Sequence, residues 1–379
     1  MYLTPEQSKR YQQYEEFVIE NIKPHAAELD AKGMFPSDET IKKLADAGFF
    51  NILFPKEYGG QDLETLAYIM AVETTAKYCA STSILVSAQN SLVGYPFLHF
   101  GTDEQKKKYV TGLANGSLIG AFALTEYAAG SDAAKQETTA VADGDYYVLN
   151  GTKRFITNAE HADVYVVMAM TDKSQGNHGI TAFIVEKGTP GFTFGKKEIK
   201  MGIRGSVTGE LIFKDCRIPK ENILGEVGKG FKIAMETLDC GRLGVAAQAL
   251  GIAEGALEET IKYVKQREQF GKFISQFQNT QFELAEIATE IEAAKTLLYT
   301  TCKMKDEGVR YSKEAAMAKM YCSQVANDAA RRCLQLFGGC GYTTEYPLER
   351  MMRDAKITEI YEGTNEIQRI VISANLGLK

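Results

Sequence analysis

The stretch DYYVLNGTKRFIT, residues 145–157, is the longest of several short runs rich in β-branched and aromatic residues. The other runs are DVYVVMAMT (163–171), GITAFIVE (179–186), GFTFGKK (191–197) and ELIFKDCRI (210–218). Asn150-Gly151 and Lys187-Gly188 interrupt this region as turns do. No helical pattern separates the runs, so the region from about 121 to 230 is predicted to be an antiparallel β-barrel or sandwich.

Helical patterns lie on both sides of this region, with apolar residues three and four positions apart. Before it they cover residues 7–33, 38–54 and 64–78, and after it the longer runs 231–270, 280–308 and 312–339. The sequence therefore predicts an α+β fold in three parts. These are an N-terminal helical domain (1–120), a middle antiparallel β-domain (121–230) and a C-terminal four-helix bundle (231–379).

Composition excludes several classes of function. The 379 residues carry 43 basic and 49 acidic side chains without a basic block, which argues against nucleic acid as the main partner. The residues between Lys77 and Asp103 are uncharged but include four serines, Gln89 and Asn90, which favours a buried segment over a membrane span. The acidic first twenty residues resemble neither a signal nor a transit peptide, so we expect a cytoplasmic protein, and a processed mitochondrial form is compatible with the sequence.

Metal and common nucleotide signatures are absent from the sequence. The seven cysteines form no Cys-x-x-Cys pair and are expected to be reduced and mostly buried. The four histidines have no ligand spacing, so no metal site is predicted. There is also no P-loop and no Gly-x-Gly-x-x-Gly motif.

Two motifs in the middle region contain side chains that can bind a ligand, and the first also has a glycine that lets a ligand come close to the backbone. FALTEYAAGSD (122–132) supplies hydroxyls and a glycine after an apolar strand, although a strand that runs into a turn has the same composition. KRFITN (153–158) offers an aromatic face and a hydroxyl, although Phe155 alone fits an ordinary core position equally well.

Two further motifs lie in the C-terminal region. The glycine-rich QLFGGCGY (335–342) suits either phosphate binding or a helix C-cap. In IYEGTNEIQRI (360–370), Thr364 fits a helix N-cap, which places Glu362 just before the helix. Glu362 is then either a structural acid at a helix start or, if an apolar pocket desolvates it, a usable base.

Together with LDCGR (238–242) and KQREQFGKFISQFQ (265–278), these four motifs resemble the flavin-dependent acyl-CoA dehydrogenases, above all their short-chain, butyryl-CoA-type members. The resemblance covers essentially the whole chain. Tyr127 stands where the family usually has proline, and Phe155 where many members have tryptophan. Both departures are on the side of the flavin, where they can tune its environment without changing the chemistry.

The resemblance implies that Glu362 is the catalytic base, which removes the α-proton of an acyl-CoA thioester while the β-hydride passes to FAD. Its backbone N–H and a flavin ribityl hydroxyl would polarise the thioester carbonyl. Positions that match FAD contacts are Phe122, Leu124, Thr125, Ser131, Phe155, Thr157, Thr364 and Glu366. Positions that match contacts to the FAD of a neighbouring subunit are Arg267, Phe270, Gln278, Gln335, Gly338 and Gly339. Positions that match substrate contacts are Ser131, Asp239, Arg242 and Gly363.

The resemblance also implies a homotetramer and an electron transfer flavoprotein as redox partner. Some branches of the family carry the base at the position of Gly241, but glycine has no side chain, so Glu362 is the matching carboxylate. An acyl-CoA oxidase, whose chains are usually much longer, and a flavin-free CoA-binding scaffold are the alternatives. The acyl chain, the direction of the reaction and membership of an electron-bifurcating complex stay open at this point.

Overall fold

The structure is a computed structural model that describes residues 3–378. Its first helices are α1 (Pro5–Asn21), α2 (Ala26–Lys32) and α3 (Asp38–Asp46). Thr4 and Gln7 form a capping box that starts α1, and Gly33 ends α2 in the left-handed conformation that glycine adopts without strain. The helical run predicted over 38–54 stops at Asp46, because Gly48 turns the chain with φ 79°.

The uncharged segment forms the buried centre of the N-terminal part. The remaining α- and π-helical segments there are α4 (Thr65–Tyr78), α5 (Ala80–Ala88), a π-helical turn (Gln89–Val93), α6 (Gly94–Phe100), α7 (Asp103–Gln105), a second π-helical turn (Lys106–Val110) and α8 (Thr111–Ala114). All nine residues of α5 are buried, which confirms the prediction of a buried segment. Among the residues that the structure describes, no helix is long and apolar enough to cross a membrane.

Eight strands form one sheet in the middle part. They are β1 (Gly120–Ala123), β2 (Thr139–Asp143), β3 (Tyr146–Thr157), β4 (Val164–Met170), β5 (Ile180–Glu186), β6 (Phe192–Lys197), β7 (Thr208–Pro219) and β8 (Ile223–Leu224). Their order is β6-β7-β3-β2-β4-β5-β8, and β1 pairs with β4. Most strand pairs are antiparallel, as predicted for this domain, but β1 and β2 both run parallel to β4.

The predicted turn at Asn150-Gly151 was wrong. Both residues lie inside β3, which shifts register against β7 between Leu149 and Gly151. A Cβ at Gly151 would lie 2.5 Å from Oγ1 of Thr138, so this glycine permits close backbone approach at a bulge and does not reverse the chain. Lys187-Gly188 does form a turn.

Three long helices dominate the C-terminal part. The elements are α9 (Gly230–Val264), a short pair of strands β9 (Glu268–Gln269) and β10 (Lys272–Phe273), α10 (Gln278–Asp306), α11 (Ser312–Phe337), α12 (Leu348–Ile357) and α13 (Asn365–Asn375). The helical run predicted to residue 270 therefore ends at Val264, and the chain forms a small hairpin before α10. Thr364 caps α13 as predicted, since its side chain accepts from the N–H of Ile367.

The N-terminal and C-terminal helices share one hydrophobic core. α4 is buried on nearly all sides and packs against α9, and apolar side chains from one face of the sheet join the same core. Six of the seven cysteines are buried, and Cys340 is half-buried. This packing brings the ends of β1 and β3 next to α9 and to the segment before α13.

Candidate active site

Two cavities lie where the sheet meets the C-terminal helices. The first, of about 370 Å³, lies between β1, α5 and α9. The second, of about 620 Å³, lies between the ends of β1 and β3, the segment 198–203 and the chain before α13. The residues that line both cavities are Thr125, Gly130, Ser131, Phe155, Thr157, Tyr361, Glu362 and Gly363.

Glu362 lies at the boundary between these cavities in a strained conformation. Its φ of 53° is in the left-handed region, which is uncommon for a residue other than glycine and is found at functional sites. Its Oε2 is buried and has no hydrogen-bond partner within residues 3–378. A Cβ on Gly241 of α9 would lie 2.1 Å from this oxygen, so the carboxylate occupies space that a side chain at position 241 would take.

The surroundings of Glu362 change its acidity. Burial raises the pKa of the Glu362 carboxyl to about 7, while Arg242 and Lys319 act in the opposite direction. A carboxylate with a pKa near neutrality is a much stronger base than an exposed glutamate and is still ionised in part at neutral pH. The site therefore contains a carboxylate suited to general-base catalysis.

Hydrogen bonds from α13 hold the backbone of this turn. Nε2 of Gln368 donates to the carbonyl of Glu362 at 3.2 Å and to that of Gly363 at 2.7 Å. The hydroxyl of Tyr361 donates to Oε1 of Gln248 on α9. The backbone N–H of Glu362 has no protein acceptor in the described part of the chain, so it is available to an oxygen of a ligand.

The sheet supplies the opposite wall. Phe155 is 52% exposed and has φ 57°, at a point where β3 shifts register against β7 between Lys153 and Ile156. Nζ of the fully buried Lys153 donates to the carbonyl of Leu124 at 3.1 Å and to the carboxylate of Glu126 at 2.6 Å. Lys153 thus fixes the loop that carries Thr125 into both cavities.

The structure brings about half of the predicted site residues together. Those that line one or both cavities are Phe122, Leu124, Thr125, Ser131, Phe155, Thr157, Arg242, Glu362, Gly363 and Thr364. Asp239 lines neither cavity, but it forms an ion pair with Arg242 and accepts from Ser312 at 2.6 Å. Glu366 is exposed on the first turn of α13 and lines neither cavity.

The remaining predicted residues form a separate exposed group outside both cavities. They are Arg267, Phe270, Gln278, Gln335, Gly338 and Gly339. The rings of Tyr263 and Phe337 stack at 4.1 Å and so join the end of α9 to the end of α11, which brings the segments of this group close to each other. Phe270 is 93% exposed.

Sequence reasoning did not assign several residues that shape the site. Lys153 lies in the motif 153–158 and Lys319 in the helical run 312–339, and neither pattern predicts a role for its lysine. Lys319 follows Ala315 by four positions and precedes Cys322 by three, so a lysine on the apolar face of α11 was the available signal. Gln248 and Tyr361 gave no such signal, because amides and tyrosines are ordinary on helices and loops.

Three family profiles together match nearly the whole chain. The chain matches the profiles of the acyl-CoA dehydrogenase N-terminal domain over residues 4–117, the middle domain over 121–216 and the C-terminal domain over 228–377. The chain belongs to the acyl-CoA dehydrogenase family.

Within this family the chain is similar to short-chain members. It is 50% identical to a short-chain specific acyl-CoA dehydrogenase of Clostridium acetobutylicum over 99% of this chain and 98% of that protein. The butyryl-CoA dehydrogenase structure from Megasphaera elsdenii is 50% identical, covers 100% of both chains and has a TM-score of 0.97. A structure from work on the electron transferring flavoprotein of Acidaminococcus fermentans and electron bifurcation is 55% identical over 99% of both chains, with a TM-score of 0.97.

FAD is present in a more distant structural relative. The structure of PigA with FAD and proline is 32% identical, covers 100% of this chain and 99% of that chain, and has a TM-score of 0.96. A relative with the same fold and 32% identity therefore binds FAD.

Proposed function

We propose that the chain catalyses the α,β-dehydrogenation of a short-chain acyl-CoA to the trans-2-enoyl-CoA, or the reverse reduction, with FAD as hydride acceptor and an electron transfer flavoprotein as redox partner. The observation that carries this proposal is the carboxylate oxygen of Glu362, which is buried and has no partner among residues 3–378 at the place where the two cavities meet. The similarity to short-chain relatives supports the substrate class, and the Acidaminococcus structure supports the partner. The bacterial relatives support a cytoplasmic location.

In the proposed reaction the Glu362 carboxylate removes the α-proton of the bound thioester. The backbone N–H of Glu362 donates to the thioester carbonyl and so stabilises the charge that develops on its oxygen. The ion pair with Asp239 holds Arg242 at the wall of the first cavity, where its buried Nε, which has no partner in the described part of the chain, can meet a polar group of the substrate. When FAD is bound, the chemistry that it supplies is acceptance of the β-hydrogen as hydride.

The second cavity fits a large, flat group with a polar edge. Its wall combines the exposed ring of Phe155 with the hydroxyls of Thr125, Thr157 and Ser131. Asn158 lines the first cavity, and its Oδ1 is buried without a partner in the described residues. Thr364 of the second cavity, together with Phe122 and Leu124 of the adjoining first cavity, would complete the set that holds the isoalloxazine ring and its ribityl chain.

A homotetramer explains the position of the exposed group around Arg267. These residues line neither cavity, so contacts to FAD require the cofactor of another subunit. A shallow groove on α10, lined by small residues together with Glu292 and Leu297, offers a surface for contact between copies.

Removing the Arg267 side chain should weaken the retention of FAD. A guanidinium pairs with pyrophosphate through charge-assisted hydrogen bonds worth about 1.5–3 kcal/mol, which corresponds to a loss of affinity of roughly 10- to 150-fold. We expect purified Arg267→Ala to lose flavin on dialysis, as measured by absorbance near 450 nm per chain. The matched control is Lys265→Ala, an exposed cation two residues earlier. Full flavin occupancy of Arg267→Ala would make Arg267 an ordinary surface residue.

A scan of saturated acyl-CoAs against an artificial electron acceptor tests the activity itself. We expect a yellow protein with its highest kcat/KM on a short straight chain, together with bleaching of the flavin in the absence of oxygen. Peroxide formation in air would instead identify an oxidase, and a colourless protein would identify a flavin-free scaffold.

Glutaryl-CoA should be a poor substrate in the same assay. Residues 78–102 contain neither Lys nor Arg, and Arg242, the one cation among the described residues that line the first cavity, is already paired with Asp239. A second buried carboxylate without a partner costs several kcal/mol, so kcat/KM should lie at least about 100-fold below that of valeryl-CoA, which has the same chain length. Turnover of glutaryl-CoA comparable to that of valeryl-CoA would sink this prediction.

A further inference from the structure

Lys319 is a buried lysine that the proposed reaction does not use. It lies on α11 with no exposed surface and lines neither cavity. Burial lowers the pKa of its ammonium to about 7, while Glu362 acts in the opposite direction. A lysine in such a place is costly to bury unless its donors are satisfied, so its partners indicate its role.

Its partners belong to the turn that carries Glu362. Nζ donates to the carbonyl of Gly363 at 2.9 Å and to Oδ1 of Asn365 at 3.2 Å. Ser323, one turn further along α11, is hydrogen-bonded to the same Asn365 side chain. Side chains of α11 therefore hold Gly363 and Asn365, the residues that follow Glu362, through hydrogen bonds.

This turn needs such support because it is strained. Glu362 and Gly363 follow each other with φ of 53° and 91°. A non-glycine residue in this region persists only where its surroundings fix it. From these contacts we propose that Lys319 is a positioning residue for the reaction, which holds the turn so that the Glu362 carboxylate and backbone N–H face the acyl substrate.

This inference rests on the assignment of Glu362 as the base and adds an electrostatic consequence. A cation near Glu362 favours its ionised form, so loss of the Lys319 charge raises the pKa of Glu362. The rate then requires a higher pH, because only the ionised carboxylate accepts the proton. The charged and titratable groups that face Glu362 or Lys319 are Tyr68, Cys240, Arg242, Glu359, Tyr361 and Glu366.

The test compares Lys319→Met with Lys319→Gln in the FAD-loaded enzyme. Methionine removes both the charge and the donor, whereas glutamine keeps a donor. For Lys319→Met we expect kcat on the alkaline plateau to fall at least tenfold with KM for butyryl-CoA within about threefold, because Lys319 does not line the cavities. The acid limb of the pH profile of kcat for Lys319→Met should move to higher pH by roughly 0.5 to 1 unit. Lys319→Gln should show the same pH shift and recover most of kcat.

Matched controls separate this role from general destabilisation. Lys77→Met removes another largely buried lysine, which pairs with Glu15 and Glu258 away from both cavities, and should leave kcat and the pH profile unchanged. If Lys319→Met does not fold, Ser323→Ala tests the proposal instead. This variant removes the hydrogen bond from Ser323 to Asn365 and keeps the charge of Lys319. It should lower kcat about threefold without a pH shift.

Two outcomes overturn the proposal. One is a folded Lys319→Met enzyme with kcat within twofold of the parent and an unmoved acid limb. The other, if Lys319→Met does not fold, is a Ser323→Ala enzyme identical to the parent. Glu362→Gln is measured in the same series. An active Glu362→Gln enzyme would contradict the assignment of Glu362 as the base. If Glu362→Gln is inactive, that assignment holds, and the Lys319 variants test the positioning role separately.

Discussion

Glu362→Gln should bind FAD and acyl-CoA and yet fail to oxidise its substrate. The amide keeps the shape of the side chain but cannot take up the α-proton, and a positioned base contributes at least ~10²-fold to rate. We therefore expect bleaching of the flavin by butyryl-CoA to slow at least about 100-fold. Stopped-flow absorbance near 450 nm measures the rate, and the spectral shift on addition of acyl-CoA measures binding.

The matched control for this variant is Glu359→Gln. Glu359 lies three residues earlier, pairs with Lys356 at 2.6 Å and lines neither cavity, so the same chemical change there should leave the rate within about twofold. Near-normal bleaching by Glu362→Gln would refute the assignment and direct attention to α9, where other branches of the family carry the base.

Gly241→Ala should also give a folded, yellow and slow enzyme. The new Cβ would lie 2.1 Å from Oε2 of Glu362 and 2.9 Å from Cδ2 of Leu92. The first contact is with the end of a flexible side chain, so the carboxylate moves and the backbone does not. Misplacement of a reacting group by about 1 Å can cost ~10²-fold, and we expect kcat to fall at least tenfold.

The stability of this variant distinguishes displacement of the base from unfolding. Position 241 lies inside α9, where alanine is favoured over glycine by about 1 kcal/mol, so the thermal midpoint should be unchanged or slightly higher. A variant with an unchanged midpoint, full flavin content and kcat within twofold of the parent would show that the observed position of the carboxylate over α9 is not needed for the reaction.

The division into three parts at 120 and 230 stays a prediction, and the observed packing explains why sequence alone defines it only loosely. α4 from the first part and α9 from the last part pack against each other and share one core. Hydrophobic periodicity shows that each helix has a buried face, but it does not show which other element covers that face. The three-part order of helices, strands and helices was nevertheless predictable, because each pattern is local.

The errors at the strand level have the same origin. Asn150-Gly151 has the composition of a turn, yet tertiary contact with Thr138 makes it a bulge within β3. The parallel pairing of β1 and β2 with β4 joins segments that sequence order leaves apart. Turn chemistry depends on a few neighbouring residues, whereas strand pairing depends on the whole sheet.

Residues close together along the chain are enough to predict the order of elements, the buried uncharged segment, the cap at Thr364 and the family resemblance. The surroundings of Glu362 depend on the tertiary structure: its Oε2 lies next to Gly241 of α9 and is buried, and Lys319 of α11 donates to the carbonyl of Gly363. Elements that are far apart in sequence bury this carboxylate and contact it, and these contacts determine its pKa and its orientation. A glutamate at a helix start becomes a candidate catalyst only when α9 and α11 enclose it.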